Sequence, residues 1–105
     1  MKTIHKIPLA LQDYQQLHIL GFIRPLCVQM QHGYPAFWYE VDTPEATLDK
    51  TDPTLLDRLP IYTIHMVGTG NKMPRARLGY KLQYISTVQM DPQGTAVFHF
   101  YMELL

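Results

Sequence analysis

The sequence predicts a mainly β fold, an antiparallel β-sandwich or small barrel of six to seven strands with one long loop that holds at most a short helix. Three observations carry this: period-2 alternation of apolar and polar residues, turn signals between the alternating runs, and no long stretch with helical periodicity. An open antiparallel sheet completed by a second subunit satisfies the same pattern.

Taken in order, residues 3–9 and 17–20 carry the weaker strand signals. Leu26, Val28 and Met30 alternate with Cys27, Gln29 and Gln31, which predicts a strand over 25–31. His32-Gly33 reads as a tight turn into a second run over 35–41, where Phe37, Tyr39 and Val41 share one face and Trp38 and Glu40 the other. Residues 42–60 form a long irregular stretch, in which Asp52 is placed to cap, and Pro53 to begin, a single helical turn. Strands follow over 61–67 and 81–90, the second with alternation broken between Ile85 and Val88, which suggests a bulge. Asp91-Pro92-Gln93-Gly94 is a strong turn signal. It leads into the most regular strand, 95–104, where Phe98 and Phe100 are expected in the core.

The bulk properties limit function. A chain of 105 residues suits one domain with one core. Charged residues are 17% of the chain, below the roughly 25% that is common, and this favours a homo-oligomer that covers part of the surface. A formal net charge of zero argues against general nucleic-acid binding and against a membrane-surface role. The opening residues lack the apolar run of a signal peptide, and the single cysteine, Cys27, fits a reducing compartment, so a cytoplasmic protein is expected.

One segment stands out: Val67-Gly68-Thr69-Gly70-Asn71-Lys72-Met73-Pro74-Arg75-Ala76-Arg77. Glycines directly after a strand can turn backbone N–H groups towards an anion. Lys72, Arg75, Arg77 and Lys81 follow with no acid among them, and in an extended chain Arg75, Arg77 and Lys81 would share a face. Arginine's planar fork suits phosphate. The segment lacks the third glycine of a dinucleotide fingerprint and the Gly-Lys-Ser/Thr of a P-loop, so a plain turn is the competing reading. Six of the nine acids lie between Glu40 and Asp57, which sets an acidic loop against this basic stretch, either as its ion-pair partner or as a lid over a ligand.

Other chemistry finds little support. The five histidines show no metal-ligand spacing, and no metal or cofactor is expected. Ser86 is the only serine and sits in a strand without a Gly-x-Ser-x-Gly setting. Aromatics on both faces of the strands leave Trp38 and Tyr101 outside the core proper, as interface residues or as stacking platforms for a base.

The opening Lys2-Thr3-Ile4, the run His65-Met66-Val67-Gly68-Thr69-Gly70-Asn71-Lys72-Met73-Pro74, the strand Tyr84-Ile85-Ser86-Thr87-Val88 and the close Phe98-His99-Phe100 carry a likeness. In these residues the chain resembles a family of small uncharacterised proteins encoded by bacteriophages and prophages. Asn71 stands where that family has histidine, and Ser86 where it has glycine. The resemblance implies a phage or prophage origin and a cytoplasmic accessory role, with no activity attached. The combined expectation is a non-enzymatic phage accessory protein that binds a small anionic ligand, a nucleotide foremost, through Gly68, Thr69, Gly70, Asn71, Lys72, Arg75, Arg77 and Lys81, with Trp38 stacking. A protein–protein interaction module, such as an inhibitor of a host enzyme, is the alternative.

Overall fold

The computed structural model describes residues 1–43 and 51–105, so Glu45 and Asp49 of the acidic loop lie outside the described residues. Seven strands form two antiparallel sheets. They are β1 (Lys2–Pro8), β2 (Tyr14–His18), β3 (Phe22–Gln31), β4 (Tyr34–Asp42), β5 (Ile61–Gly68), β6 (Lys81–Gln89) and β7 (Val97–Leu104). The three-stranded sheet runs β1-β4-β3 and the four-stranded sheet β2-β5-β7-β6. The sheets face each other across one core as a sandwich that does not close into a barrel, and this is the arrangement taken among those that alternation leaves open. Among the described residues the one helix is α1 (Leu55–Arg58), a single turn. The Asp52 carboxylate accepts the Thr54 N–H at 2.9 Å at its start, as its sequence predicts. No helix among the described residues is long and apolar enough to cross a membrane.

The core lies between the sheets. Val28, Phe37, Tyr39 and Val41 contribute from one side, and Leu17, Ile64, Val88, Phe100 and Met102 from the other. Phe100 is fully buried, and Phe98 packs against the core with part of its ring accessible. The turns form where the sequence places them. His32 and Gly33 both take positive φ, the condition for a two-residue turn of the type that matches strand twist. At the other hairpin the Gly94 N–H donates to the Asp91 carbonyl at 3.2 Å, and the Asp91 side chain accepts the Ala96 N–H at 2.9 Å.

One facing departs from the alternation. Leu26 is expected beside Val28, yet it is exposed. Register shifts between Phe22 and Arg24, and between Pro25 and Cys27, insert extra residues into β3 and turn Leu26 out. Pro25 supplies the reason: it has no N–H for a ladder, so it is tolerated on this edge strand beside an irregularity. The bulge in β6 falls between Tyr84 and Ser86, inside the stretch where alternation breaks. It turns the Ser86 hydroxyl towards the other sheet, where it accepts the Val28 N–H at 2.8 Å. The edges of β3 and β6 are thereby linked, and an outward-facing strand amide gains a partner.

The connection from β5 to β6 positions the candidate site. Both strands are antiparallel to β7, which lies between them, so they are parallel to each other. A parallel pair needs a crossover of about a dozen residues. Residues 69–80 supply it as an extended strap, with no helix, along the outer side of the four-stranded sheet.

Candidate functional site

The strap begins with a turn in which the Asn71 N–H donates to the Gly68 carbonyl at 3.0 Å. Gly70 takes φ +88° at the position where such a turn requires it. At Gly68 a Cβ would lie 2.8 Å from Asn71 Nδ2, so glycine leaves room for the Asn71 amide over the strand end, and a larger residue would push that side-chain tip aside. The Thr69 N–H donates to the Val97 carbonyl at 3.2 Å. The Thr69 hydroxyl lies 2.8 Å from His99 Nε2. The N–H groups of Thr69 and Asn71 and the Thr69 hydroxyl are therefore engaged within the protein. A backbone anion cradle built on these groups is not what the turn provides.

The far end of the strap is pinned. Glu103 faces outward from β7, between inward-facing Met102 and Leu104, yet it is buried beneath the strap with its side chain 3% exposed. One carboxylate oxygen accepts the Arg77 backbone N–H at 2.9 Å and Arg77 Nε at 3.2 Å. The other lies 2.9 Å from His65 Nε2. Burial works to raise the Glu103 carboxyl, but the hydrogen bonds from the Arg77 backbone, His65 and the Arg77 side chain hold it below the ordinary value. Arg77 also lies over the Tyr80 ring at 4.1 Å. Arg77 is thus a structural cation, and its partner is Glu103 rather than the acidic loop. Three of the described acids of that stretch pair elsewhere: Glu40 with Arg24, Asp42 with the N-terminal amine, and Asp52 with Arg58.

The expected site residues do not form one cluster. Gly68 pairs with Phe98 and Lys81 with Leu104, six positions apart on β7, or about 20 Å at roughly 3.3 Å per residue. A turn closed by the Tyr80 N–H on the Arg77 carbonyl at 2.9 Å also breaks the extended run that would set Lys81 beside Arg75 and Arg77. Trp38 lies on β4, alternating with buried Phe37 and Tyr39, on the outer side of the other sheet and beside Lys6 at 5.9 Å. It is not brought together with the glycine turn.

What does come together is a cleft of about 370 Å³ beside the start of the strap. Gly68, Asn71, Lys72 and Pro74 line it from the predicted segment, and Asp13, Tyr14 and His65 join them. Tyr14 is the first residue of β2 and pairs with His65, and their rings stand 6.4 Å apart. The loop before β2 is held by Gln15, whose amide both accepts the Ala10 N–H and donates to the Ala10 carbonyl at 2.9 Å. Asp13 and Tyr14 carry no local sequence signal for a site. They reach it through the pairing of β2 with β5, about fifty positions away in the chain.

A second polar chain crosses the outer face nearby. His99 Nδ1 lies 2.8 Å from Thr87 Oγ1, which lies 2.6 Å from the Tyr84 hydroxyl. With Thr69 on the other ring nitrogen, both nitrogens of His99 are engaged by threonine hydroxyls, so neither is turned to a substrate. Ser86 is held by the Val28 amide, and Cys27 sits half-buried on the opposite sheet. Among the described residues no group of His, Cys, Asp and Glu is arranged to hold a metal ion.

Comparison with curated proteins and with solved structures gives no match. A family model does match, across residues 1–104. On that match the chain belongs to the family described as a domain of unknown function, DUF7352.

Proposed function

We propose that this chain is a non-enzymatic binding protein for a small anionic ligand, foremost a nucleotide, taken up in the cleft between β2 and the start of the strap. The observation that carries the reading is the convergence of Asn71 and Lys72 with the exposed Tyr14 ring around one concavity. Concave sites with an aromatic surface and a few convergent polar groups are where small ligands bind. Lys72 has no acid partner among the described residues, so its ammonium is available to a phosphate. The glycines serve the turn that aims Asn71 and Lys72, and the anion is held by side chains. Arg75 lies on the strap between the cleft and the pinned end and adds positive potential. The engagement of His99, Ser86 and Thr69 within the protein favours binding without turnover.

A phage-encoded accessory protein acting in the host cytoplasm, for example by sequestering a defence nucleotide, is the setting this reading supposes. Calorimetry with mono-, di- and cyclic nucleotides and with inorganic phosphate tests it. Binding should weaken with salt, the ligand should be recovered intact, and Lys72→Ala should abolish the heat while Lys81→Ala retains it. No heat across the panel removes the reading. The interaction-module alternative then takes its place, favoured by Leu78, wholly exposed at the strap's second turn, and by exposed Met73 beside Lys72. Either reading allows a homodimer, which light scattering reads directly.

A further inference from the structure

We infer that the cleft discriminates among bases and takes a guanine nucleotide, an inference that rests on the nucleotide reading above. The cleft is bipolar. Asp13 lines it together with Lys72, yet no ion pair joins them, and neither has a charged partner among the described residues. A ligand that is only anionic would answer Lys72 and be repelled by Asp13. A ligand with an anionic end and a donor edge answers both.

The Asp13 carboxylate only accepts hydrogen bonds, through two oxygens. Among the common bases guanine alone presents two adjacent donors, N1–H and the N2 amine, that meet a carboxylate in parallel. Adenine and cytosine set an acceptor beside their amine, and uracil flanks its single N–H with carbonyls. Tyr14, 62% exposed and next in sequence to Asp13, offers the face on which such a base stacks. The Asp13 carbonyl accepts the Met66 N–H at 2.9 Å, so this residue is fixed to β5 rather than loose in a loop. The Asn71 side chain makes no hydrogen bond among the described residues and stands beside Lys72, where a phosphate or ribose oxygen would meet it. A volume of about 370 Å³ is at the lower end for ligand sites, which suits a mononucleotide or one base and phosphate of a longer ligand.

The experiment is calorimetry of the full chain with GMP, IMP, AMP, CMP and UMP at one ionic strength. GMP should bind about tenfold or more tightly than AMP, the scale of one bidentate base contact, with IMP between them because it lacks the N2 amine. Asp13→Asn keeps the side-chain shape, and should bring GMP and AMP to equal affinity while leaving AMP binding no weaker than in the parent chain. Tyr14→Ala should weaken all five, and Tyr14→Phe should not. Equal affinities across the panel, or a preference that survives Asp13→Asn, overturns the guanine assignment and leaves nucleotide binding standing. No binding by any of the five overturns both.

Discussion

The two ends of the strap carry the same kind of charge and have opposite fates. At the far end Arg77 lies over a buried acid, and its main chain and side chain both bond to Glu103. At the near end Lys72 stands at a cleft, with no acid in ion-pairing distance among the described residues. Four cations in ten residues read as one basic patch along the chain. A crossover spreads them along the length of β7 and ties one of them down. What separates a structural cation from an available one is the acid beneath it, and that acid comes from the last strand.

This contrast can be tested by stability and by binding. The largest effect should come from the core under both ends. Phe100→Ala removes a fully buried ring and should cost about 3–5 kcal/mol, read as a lower denaturant midpoint. An unchanged midpoint would mean that the four-stranded sheet does not face the core as described. Glu103→Gln comes next. It keeps one carbonyl acceptor but removes the charge that Arg77 and His65 meet, and should cost about 2 kcal/mol once the exposure of Arg77 is allowed for. Ser86→Gly should cost about 1–2 kcal/mol by leaving the Val28 amide without its partner. Lys72→Ala should change stability by less than about 0.5 kcal/mol, as for a surface substitution with no partner.

Acid unfolding sharpens the same contrast. The Glu103 carboxyl lies below its ordinary value in the folded chain. Its contribution is therefore complete above the ordinary carboxylate pKa of about 4.3, and is lost as pH falls through that range and below it. Glu103→Gln should flatten this acid limb of the stability curve, and Lys72→Ala should leave it unchanged. If both variants alter the limb alike, the two ends are not distinct.

The fold was readable wherever local chemistry decides. Turn residues at His32-Gly33 and Asp91 to Gly94, the alternation through Phe98 and Phe100, and the irregularity near Ile85 all act over a few positions. Alternation alone misplaces Leu26, because Pro25 interrupts the ladder on an edge strand and the pattern does not count a bulge. β2 begins at Tyr14, earlier than the apolar residues 17–20 suggest, because Gln15 and Gln16 enter the strand through pairing with β5. The site was readable only in part. Gly68, Asn71 and Lys72 border the cleft, but Asp13 and Tyr14 arrive from a distant strand, while the order of β5, β7 and β6 carries Arg77 and Lys81 away. No single segment encodes these placements, since strand order is set by contacts far apart in the sequence.

The most direct test is an amide NMR titration of the full chain with a mononucleotide. Shifts should concentrate at Asp13, Tyr14, His65, Asn71 and Lys72, with little change at Arg77, Tyr80, Lys81 and Trp38. Shifts centred on residues 77–81, or spread evenly over both ends of the strap, would contradict the account.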